Sequence, residues 1–154
     1  MNDTSPVTTP DIASLDQDLG PDAAAVIRSL ATRLHDDGRV SDIDVFVDAA
    51  LAREALGSTV LPGGIAMPHA RSHAVATQSV AVARLPQPIT FASGSDPVRL
   101  VLLLASPGGD SAGYLALLQK IATACVKYAF VSDLLEARTP EQLSDLVAQA
   151  VSGR

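Results

Sequence analysis

The sequence is poor in aromatic residues and in cysteine, and each shortage restricts what the chain can be. It has no tryptophan, three phenylalanines and two tyrosines in 154 residues, so its core must consist mainly of Ala, Val, Leu and Ile. A single cysteine excludes an internal disulfide. It favours a reducing compartment, which we take to be the cytoplasm.

Clustered positive charge and long apolar runs are also missing. Eleven basic against seventeen acidic residues give a formal net charge of −6, which argues against nucleic acid or an anionic membrane surface as a partner. The longest apolar run, residues 98–105, is interrupted by Arg99 and is too short to span a bilayer. The N-terminus has no signal-peptide pattern, so we expect a cytoplasmic protein without direct membrane insertion.

The pattern of elements predicts an α/β fold. Residues 1–10 mix Ser, Thr, Pro and Asp without periodicity and are interpreted as a disordered leader, which leaves residues 11–154 as one domain. Predicted helices and strands then alternate, and the apolar run 98–105 is typical of a strand covered on both faces. The expected architecture is a single-domain sandwich, a mixed sheet of about four to five strands flanked by helices on both faces. The predicted strands are a short edge strand at 11–15, two short extended pieces within 58–70, and strands at 78–85, 89–91 and 98–105.

Local signals place the helices. The first is predicted over residues 21–37, with Pro21 at its first position and Gly38 beyond its end. Ser41 and Asp44 form a variant capping box that starts a second helix, which ends near Gly57. Its predicted buried stripe contains Val45, Ala49, Ala52 and Leu56, widened by Phe46 and Ala50. Three further helices are predicted after Gly113 and ending by residue 128, at 130–137, and from a cap at Thr139.

Residues 61–71 contain the best candidate site. Gly63 and Gly64 admit backbone geometries that side chains forbid, and Pro68 gives His69 a stiff, extended approach. A neutral imidazole nitrogen is a nucleophile, so a rigid histidine near backbone donors could hold an anion or carry a phosphoryl group. On chemistry alone, His69 could equally be a structural residue in a turn.

Arg53 lies within the predicted apolar sector of the second helix, while Glu54 is expected to point the opposite way. A guanidinium in that position needs a partner. It could extend to solvent, pair with a carboxylate, or bind an anion beside His69.

A second glycine-rich loop, residues 107–113, lacks the spacing and lysine of a nucleotide-binding loop. Cys125, on the apolar face of the helix that follows, is predicted to be an inert core residue.

Residues 53–59 (Arg-Glu-Ala-Leu-Gly-Ser-Thr) and 63–71 (Gly-Gly-Ile-Ala-Met-Pro-His-Ala-Arg) resemble the active-site region of the fructose/mannitol-type enzyme IIA domain. That family belongs to the bacterial phosphoenolpyruvate-dependent sugar phosphotransferase system, and the resemblance extends over about residues 11–151. It implies a phosphohistidine carrier that needs no cofactor and no metal. Phospho-HPr would phosphorylate His69, usually at Nε2, and the group would pass to a cysteine of a separate enzyme IIB domain during uptake of a sugar, with fructose as the first expectation.

The resemblance also implies roles for other residues. Arg53 would bind the phosphoryl oxygens, the backbone of Gly63 and Gly64 could supply donors, and Thr59 could supply a hydroxyl. Many members of the family carry a second histidine where this chain has Tyr114, and we expect this phenol to line the site and tune transfer. His73 could substitute for that histidine or be a surface residue. Arg71 could be a solvated charge on the docking rim or attract an acidic patch on a partner.

Two other functions fit the sequence. A regulatory, nitrogen-type enzyme IIA would be phosphorylated on the same histidine, but its output would be control of a target protein. A small-molecule anion-binding module would have no covalent step. Acid-labile, base-stable phosphate on His69 would exclude the anion-binding module.

Overall fold

The computed structural model describes residues 6–152, and within that range six β-strands form one open, mixed sheet with five α-helices on its two faces. The α/β architecture is therefore confirmed, with one strand more than the upper predicted number. A short 3-10 helix, Pro10–Ile12, precedes the first strand. The elements are β1 Ala13–Leu15, α1 Ala23–Asp36, α2 Ile43–Leu56, β2 Val60–Leu61, β3 Ile65–Ala66, β4 His69–Ser72, β5 Ser79–Ile89, β6 Val98–Pro107, α3 Ser111–Cys125, α4 Tyr128–Glu136 and α5 Pro140–Ser152.

Strand β6 is the centre of the sheet. It pairs antiparallel with β5 on one side, and parallel with both β3 and β4 on the other, while β1 and β2 form the two edges. All its residues from Leu100 to Ser106 are buried, as the continuous apolar run predicted. Strand β4, which the sequence analysis treated only as the end of an extended piece, is a strand of its own, whereas the short strand predicted at 89–91 does not form, since Ile89 is the last residue of β5.

Strand β5 is longer than predicted. Pro86 and Pro88 were expected to bound it, yet the strand continues through both prolines to Ile89, with a register irregularity between Arg84 and Ile89. The partner β1 ends before this part of β5, and Pro86 to Pro88 are exposed. Prolines are tolerated there because an unpaired strand edge does not need their missing N–H groups.

Helices cover both faces of the sheet. One core cluster joins α1 and α2 to alternate residues of the strands, and a second joins α3, α4 and α5 to the other alternate residues. The predicted arrangement of helices on both sides is therefore confirmed. Two layers of aliphatic side chains, rather than aromatic ones, hold the sheet between the helices.

The described part of the expected leader is ordered rather than disordered. Thr8 is buried, and the amide of Val80 donates a hydrogen bond of 2.8 Å to the carbonyl of Val7. Residues 6–10 therefore pack against the start of β5 through a backbone contact that composition cannot reveal. Residues 1–5 lie outside the described part of the chain.

Side-chain caps move the starts of the first two helices. Asp22 caps α1 by accepting from the amide of Ala25 at 2.9 Å, so this helix begins two residues later than predicted. Asp42, not Ser41, caps α2 by accepting from the amide of Val45 at 3.1 Å. Ser41 instead donates to the carbonyl of Ala74.

The predicted buried stripe of α2 is wrong. The residues of α2 that are buried are Phe46, Val47 and Ala50, whereas Leu56 is 86% exposed. Apolar residues surround most of this helix, so its periodicity does not select one face, and packing against the sheet decides which is buried.

The C-terminal helices follow the sequence signals closely. Thr139 caps α5 by accepting from the amide of Gln142 at 3.1 Å, with Pro140 at the first helical position. Across residues 6–152, no individual helix combines the length and apolar composition needed to cross a membrane, although α3 and α4, bent by 83° at their junction, meet those criteria as a pair.

Candidate functional site

His69 opens strand β4, opposite Leu104 of the central strand. Its neighbour Ala70 belongs to the core on the α1–α2 face, while Leu104 and Met67 belong to the core on the α3 face. Successive side chains on a strand alternate, so His69 faces the α3 side of the sheet. The residue is 7% exposed, so the core does not enclose the ring completely.

A backbone carbonyl determines which nitrogen of His69 carries the proton. Nδ1 lies 2.8 Å from the carbonyl oxygen of Met67, two residues earlier. Because a carbonyl can only accept, the neutral ring places its proton on Nδ1. The lone pair is then on Nε2, the atom that the family resemblance implies as the phosphoryl acceptor.

The surroundings favour the neutral form of this ring. Burial lowers the pKa of His69 below its ordinary value of 6.5, and the charge of Arg53 lowers it further. The hydrogen bond to Met67 and the carboxylate of Glu54 act in the opposite direction. The net result is an imidazole that remains a nucleophile at neutral pH.

Arg53, in the last turn of α2, is brought to the site as predicted. It is half-buried, and its Nη1 donates a 2.7 Å hydrogen bond to the carbonyl of Gly57, the residue that ends the helix. This contact uses one N–H group of the guanidinium, and the other N–H groups remain available as donors. The positive charge of Arg53 acts to lower the pKa values of both His69 and Tyr114.

Glu54 does not point away from the site, and the expectation that it would is wrong. Its carboxylate accepts from the hydroxyl of Thr59 and, at 3.3 Å, from the amide of Thr59. The carbonyl of Thr59 in turn accepts from the amide of Met67 at 3.2 Å, and the carbonyl of Met67 holds His69. A continuous chain of hydrogen bonds therefore runs from the end of α2 to the imidazole.

This chain also changes the interpretation of Thr59. The side chain is 7% exposed and lies close to His69 through Met67, but its hydroxyl proton is engaged by Glu54. Thr59 therefore positions the segment before His69, and its hydroxyl retains only lone pairs for another group.

Tyr114, in the first turn of α3, lies beside His69 as predicted. The two ring centroids are 6.0 Å apart and the ring planes are inclined by 54°. Burial raises the pKa of Tyr114 above its ordinary value of 10.0, while Arg53 and Arg71 act against this shift. The phenol thus remains neutral across the physiological range and keeps its O–H as a donor.

Arg71 is an exposed residue two positions beyond His69 on β4. Its charge acts on the pKa of Tyr114. Within residues 6–152, neither Arg71 nor Arg53 forms an ion pair with a carboxylate. The site thus combines two uncompensated guanidinium groups in a protein whose net charge is −6.

Gly63 and Gly64 form the predicted turn, with φ values of 99° and 80°, but the structure does not bring them to His69. The carbonyl of Gly64 accepts from the amide of Arg99 at the start of β6, whereas His69 pairs with Leu104 near its end. His69 is five residues beyond Gly64, or about 16 Å along the extended chain. This turn therefore contributes no backbone donors to the site. In the parallel pairing, Gly64 lies beside the start of β6, whereas His69 lies beside residues near its end.

The two remaining candidate residues take no part in the site. His73 is exposed in the turn after β4, where its backbone packs close to Gly108. Cys125 is 2% exposed at the end of α3, and burial raises the pKa of its thiol to about 12. The prediction of an inert core cysteine agrees with this environment.

Sequence reasoning missed Gln78, which holds the start of α3. Its Nε2 donates to the carbonyl of Gly113 at 2.9 Å and to the hydroxyl of Ser106 at 3.3 Å. Nothing in the sequence marks a single glutamine before a strand as a long-range tie. Glu54, in contrast, stood next to Arg53 in the quoted motif and could have been suspected from its position.

Comparisons with known proteins point to one family. The family model described as "Phosphoenolpyruvate-dependent sugar phosphotransferase system, EIIA 2" matches residues 9–150. The fructose-specific EIIA component of Haloferax volcanii is 30% identical over 152 residues, covering 98% of each chain. The nitrogen regulatory protein of Pseudomonas aeruginosa is 36% identical over 115 residues, covering 73% of this chain and 74% of that protein.

The fold also has close structural counterparts. The Escherichia coli complex of enzyme IIA and phosphorylated enzyme IIB of the mannitol system matches with a TM-score of 0.73 at 22% identity, covering 94% of this chain and 96% of that one. The matched region of the family model includes every residue of the site, from Arg53 to Tyr114. On this combined agreement of sequence and fold, the chain belongs to the EIIA 2 family of the phosphoenolpyruvate-dependent sugar phosphotransferase system.

Proposed function

We propose that this chain is a phosphohistidine carrier, which accepts a phosphoryl group on Nε2 of His69 from phospho-HPr. It then passes the group to a cysteine of a separate enzyme IIB domain during sugar uptake. The observation that carries this proposal is the 2.8 Å contact between Nδ1 of His69 and the carbonyl of Met67, which leaves the lone pair of the neutral ring on Nε2.

The transfer can be written with all atoms balanced. The Nε2 lone pair forms a bond to phosphorus as the bond from phosphorus to the donor's histidine breaks, and the donor ring recovers that electron pair. The His69 ring becomes cationic with its proton still on Nδ1, facing the carbonyl of Met67. In the second step a thiolate of enzyme IIB attacks the phosphorus, the N–P bond breaks, and His69 returns to the neutral form.

The charges around His69 suit this chemistry. Phosphoryl transfer proceeds through a loose transition state with negative charge spread over three oxygens. The charge of Arg53 acts on both rings, and a guanidinium can donate charge-assisted hydrogen bonds to two such oxygens. Arg53 would thus stabilise the transferring group, while the chain from Glu54 through Thr59 and Met67 holds the imidazole in place.

The names of two relatives support the proposed sugar and acceptor. The fructose-specific name of the Haloferax volcanii relative, which matches over 98% of both chains, supports fructose as the sugar. The Escherichia coli complex with phosphorylated enzyme IIB supports an enzyme IIB domain as the acceptor. We place this chain in the cytoplasm, in keeping with its single cysteine.

A second candidate function is a regulatory, nitrogen-type enzyme IIA. The 36% identity with the Pseudomonas aeruginosa nitrogen regulatory protein favours it. The phosphorylated histidine would be the same, and the output would be binding to a target protein instead of transfer to a thiol.

The test is phosphoryl transfer from phosphoenolpyruvate through enzyme I and HPr of the same organism, followed by intact mass. We expect one added phosphate on the parent and on the matched control His73→Ala, and none on His69→Ala. The phosphate should be acid-labile and base-stable. An unmodified parent with a competent donor would contradict the carrier function.

A second stage separates the two outputs. The purified phosphoprotein is mixed with an enzyme IIB domain from a fructose permease of the same organism, and both masses are followed. Movement of the phosphate to the enzyme IIB cysteine supports transport. Retention of the phosphate on His69 with a competent enzyme IIB would favour the regulatory alternative.

A further inference from the structure

We propose that Arg71 binds the phosphoryl group on His69 directly, and that it forms with Tyr114 a second phosphate-binding arm opposite Arg53. This inference rests on the proposed function and adds a residue to it. The sequence analysis placed Arg71 on a docking rim, where it would contact only partner proteins.

The strand geometry brings Arg71 to the correct side of the sheet. His69 and Arg71 are two residues apart on β4, and Ala70 between them is buried in the core on the α1–α2 face. Because side chains alternate along a strand, His69 and Arg71 project from the same face, toward α3. The long arginine side chain starts about 7 Å from His69 along the strand, a distance that its own length can span.

Tyr114 lies on the same side of the sheet, at the start of α3 and beside His69. Its ring centroid is 6.0 Å from that of His69. The charges of Arg53 and Arg71 both act on the phenol, Arg53 from the end of α2 and Arg71 from β4. Tyr114 therefore lies within the field of both guanidinium groups, on the α3 side of the imidazole.

The guanidinium of Arg71 is also available. It makes no hydrogen bond and no ion pair with any residue in the range 6–152, and the residue is exposed. Two acidic groups of the neighbouring elements are engaged elsewhere. Glu54 accepts from Thr59, and Asp110 accepts from the amide of Gly113 as the cap of α3. A dianionic phosphoryl group on Nε2 would be the strongest acceptor within reach.

The arrangement also adds positive charge beside a phenol that carries none. A neutral Tyr114 can donate one hydrogen bond but supplies no positive charge. Arg71 supplies that charge, and it does so without titrating, because a guanidinium remains protonated at all relevant pH values.

The experiment uses a small-molecule phosphoryl donor, which cannot form the docking contacts that a protein donor forms. The purified full chain is incubated with phosphoramidate, whose P–N bond breaks with release of ammonia as Nε2 of His69 forms its bond to phosphorus. Intact mass gives the second-order rate constant for phosphorylation, and ³¹P NMR gives the chemical shift of the phosphohistidine. The variants are Arg71→Gln and Arg71→Lys, with Arg138→Gln as a matched control at an exposed arginine in the turn before α5.

We expect Arg71→Gln to lower the rate constant about tenfold, the effect of losing one charge-assisted hydrogen bond at a solvent-exposed site. We also expect it to move the ³¹P resonance. Arg71→Lys should recover part of the rate, and Arg138→Gln should match the parent. A docking residue would leave both readouts unchanged and slow transfer only from phospho-HPr, and that result would overturn the inference.

The proposed function has a distinguishable failure. If the parent takes no phosphoryl group from phosphoramidate or from phospho-HPr, both the carrier function and the role of Arg71 are wrong. If the parent is phosphorylated on His69 and Arg71→Gln reacts with phosphoramidate at the parental rate, only the role of Arg71 is wrong.

Discussion

Gln78, just before β5, donates a 2.9 Å hydrogen bond from Nε2 to the carbonyl of Gly113, in the first turn of α3. Its amide also reaches the hydroxyl of Ser106 in the central strand at 3.3 Å. Because Tyr114 follows Gly113, this one side chain joins the sheet to the helix turn that carries the phenol. The distance between His69 and Tyr114 therefore depends on a residue that touches neither ring.

Replacing Gln78 with methionine should loosen this tie while keeping the side-chain length. The carbonyl of Gly113 would lose its donor, and we expect the free energy of unfolding to fall by about 1 kcal/mol. Phosphorylation of His69 should slow severalfold because Tyr114 is no longer held beside it. Urea denaturation and the phosphoramidate rate measure the two effects. Gln119→Met, at an exposed position of α3, is the control and should change neither.

Replacing Glu54 with glutamine should lower the pKa of His69 further. The carboxylate raises that pKa, so removing its charge leaves the opposing effects of burial and Arg53 stronger. The glutamine oxygen can still accept from the amide of Thr59, and its NH2 group can donate to the Thr59 hydroxyl oxygen, so the two residues remain tied. Titration of the His69 ring by NMR measures the shift, with Asp48→Asn at an exposed position of the same helix as control. A pKa equal to that of the parent would contradict the placement of Glu54 beside the site.

The pH dependence of phosphorylation should reflect the lowered pKa of His69. As pH falls, the rate should decline with a midpoint below 6.5, because burial keeps the ring neutral where an ordinary histidine is already half protonated. N-acetylhistidine, measured with the same donor, is the comparator.

The stability of the fold should also depend on the protonation of His69. Between the folded pKa and 6.5 the unfolded chain binds more protons, so stability is complete above 6.5 and decreases as pH falls through that window.

Replacing Arg84 with methionine should destabilise the fold strongly. Arg84 is 7% exposed and donates to both carboxylate oxygens of Asp16, at 3.0 and 2.8 Å. It also donates to three carbonyls at the end of α4, including that of Ala137 at 2.7 Å. Losing this donor should cost about 3 kcal/mol by urea denaturation, since buried acceptors are left without partners. Arg138→Met is the control, and a loss similar to that of the control would show that water replaces Arg84.

The two glycines of the turn before β3 should differ in their tolerance of alanine. Both have positive φ, so each substitution strains the backbone, but a Cβ on Gly64 would lie 2.9 Å from the carbonyl oxygen of Pro97, whereas a Cβ on Gly63 meets open space. We expect Gly64→Ala to destabilise more than Gly63→Ala, by about 1 kcal/mol or more. Both variants, where folded, should be phosphorylated at the parental rate. Slow phosphorylation of folded Gly63→Ala would contradict the separation of this turn from His69.

The layered fold and the central residue of the site could be predicted because local signals determine them. The run at residues 98–105 predicts a doubly covered strand, and Pro68 before His69 predicts an extended approach. Arg53 lies in the last turn of α2, although the buried stripe from which its inward position was predicted is wrong.

Other parts of the site depend on register, which a single sequence does not reveal. Gly63 and Gly64 are only six and five residues from His69, yet pairing with β6 carries them to the opposite end of the strand. Glu54 was predicted to point away because an ideal helical projection places it opposite the apolar stripe. In the structure the chain turns back after Gly57, so that Thr59 meets the carboxylate. Long-range ties such as that of Gln78 follow from the assembled fold alone.

Helix α3 also separates His69 from the chain's cysteine, which matters for the lifetime of the proposed N–P bond. The helix places Tyr114 at one end, beside His69, and the buried Cys125 at the other, about 16 Å away. Cys125 is the one sulfur nucleophile in the sequence, and burial raises its pKa to about 12. If His69 carries a phosphoryl group as proposed, that group would not transfer to the chain's own thiol. The separation along the helix would keep it available for an external acceptor.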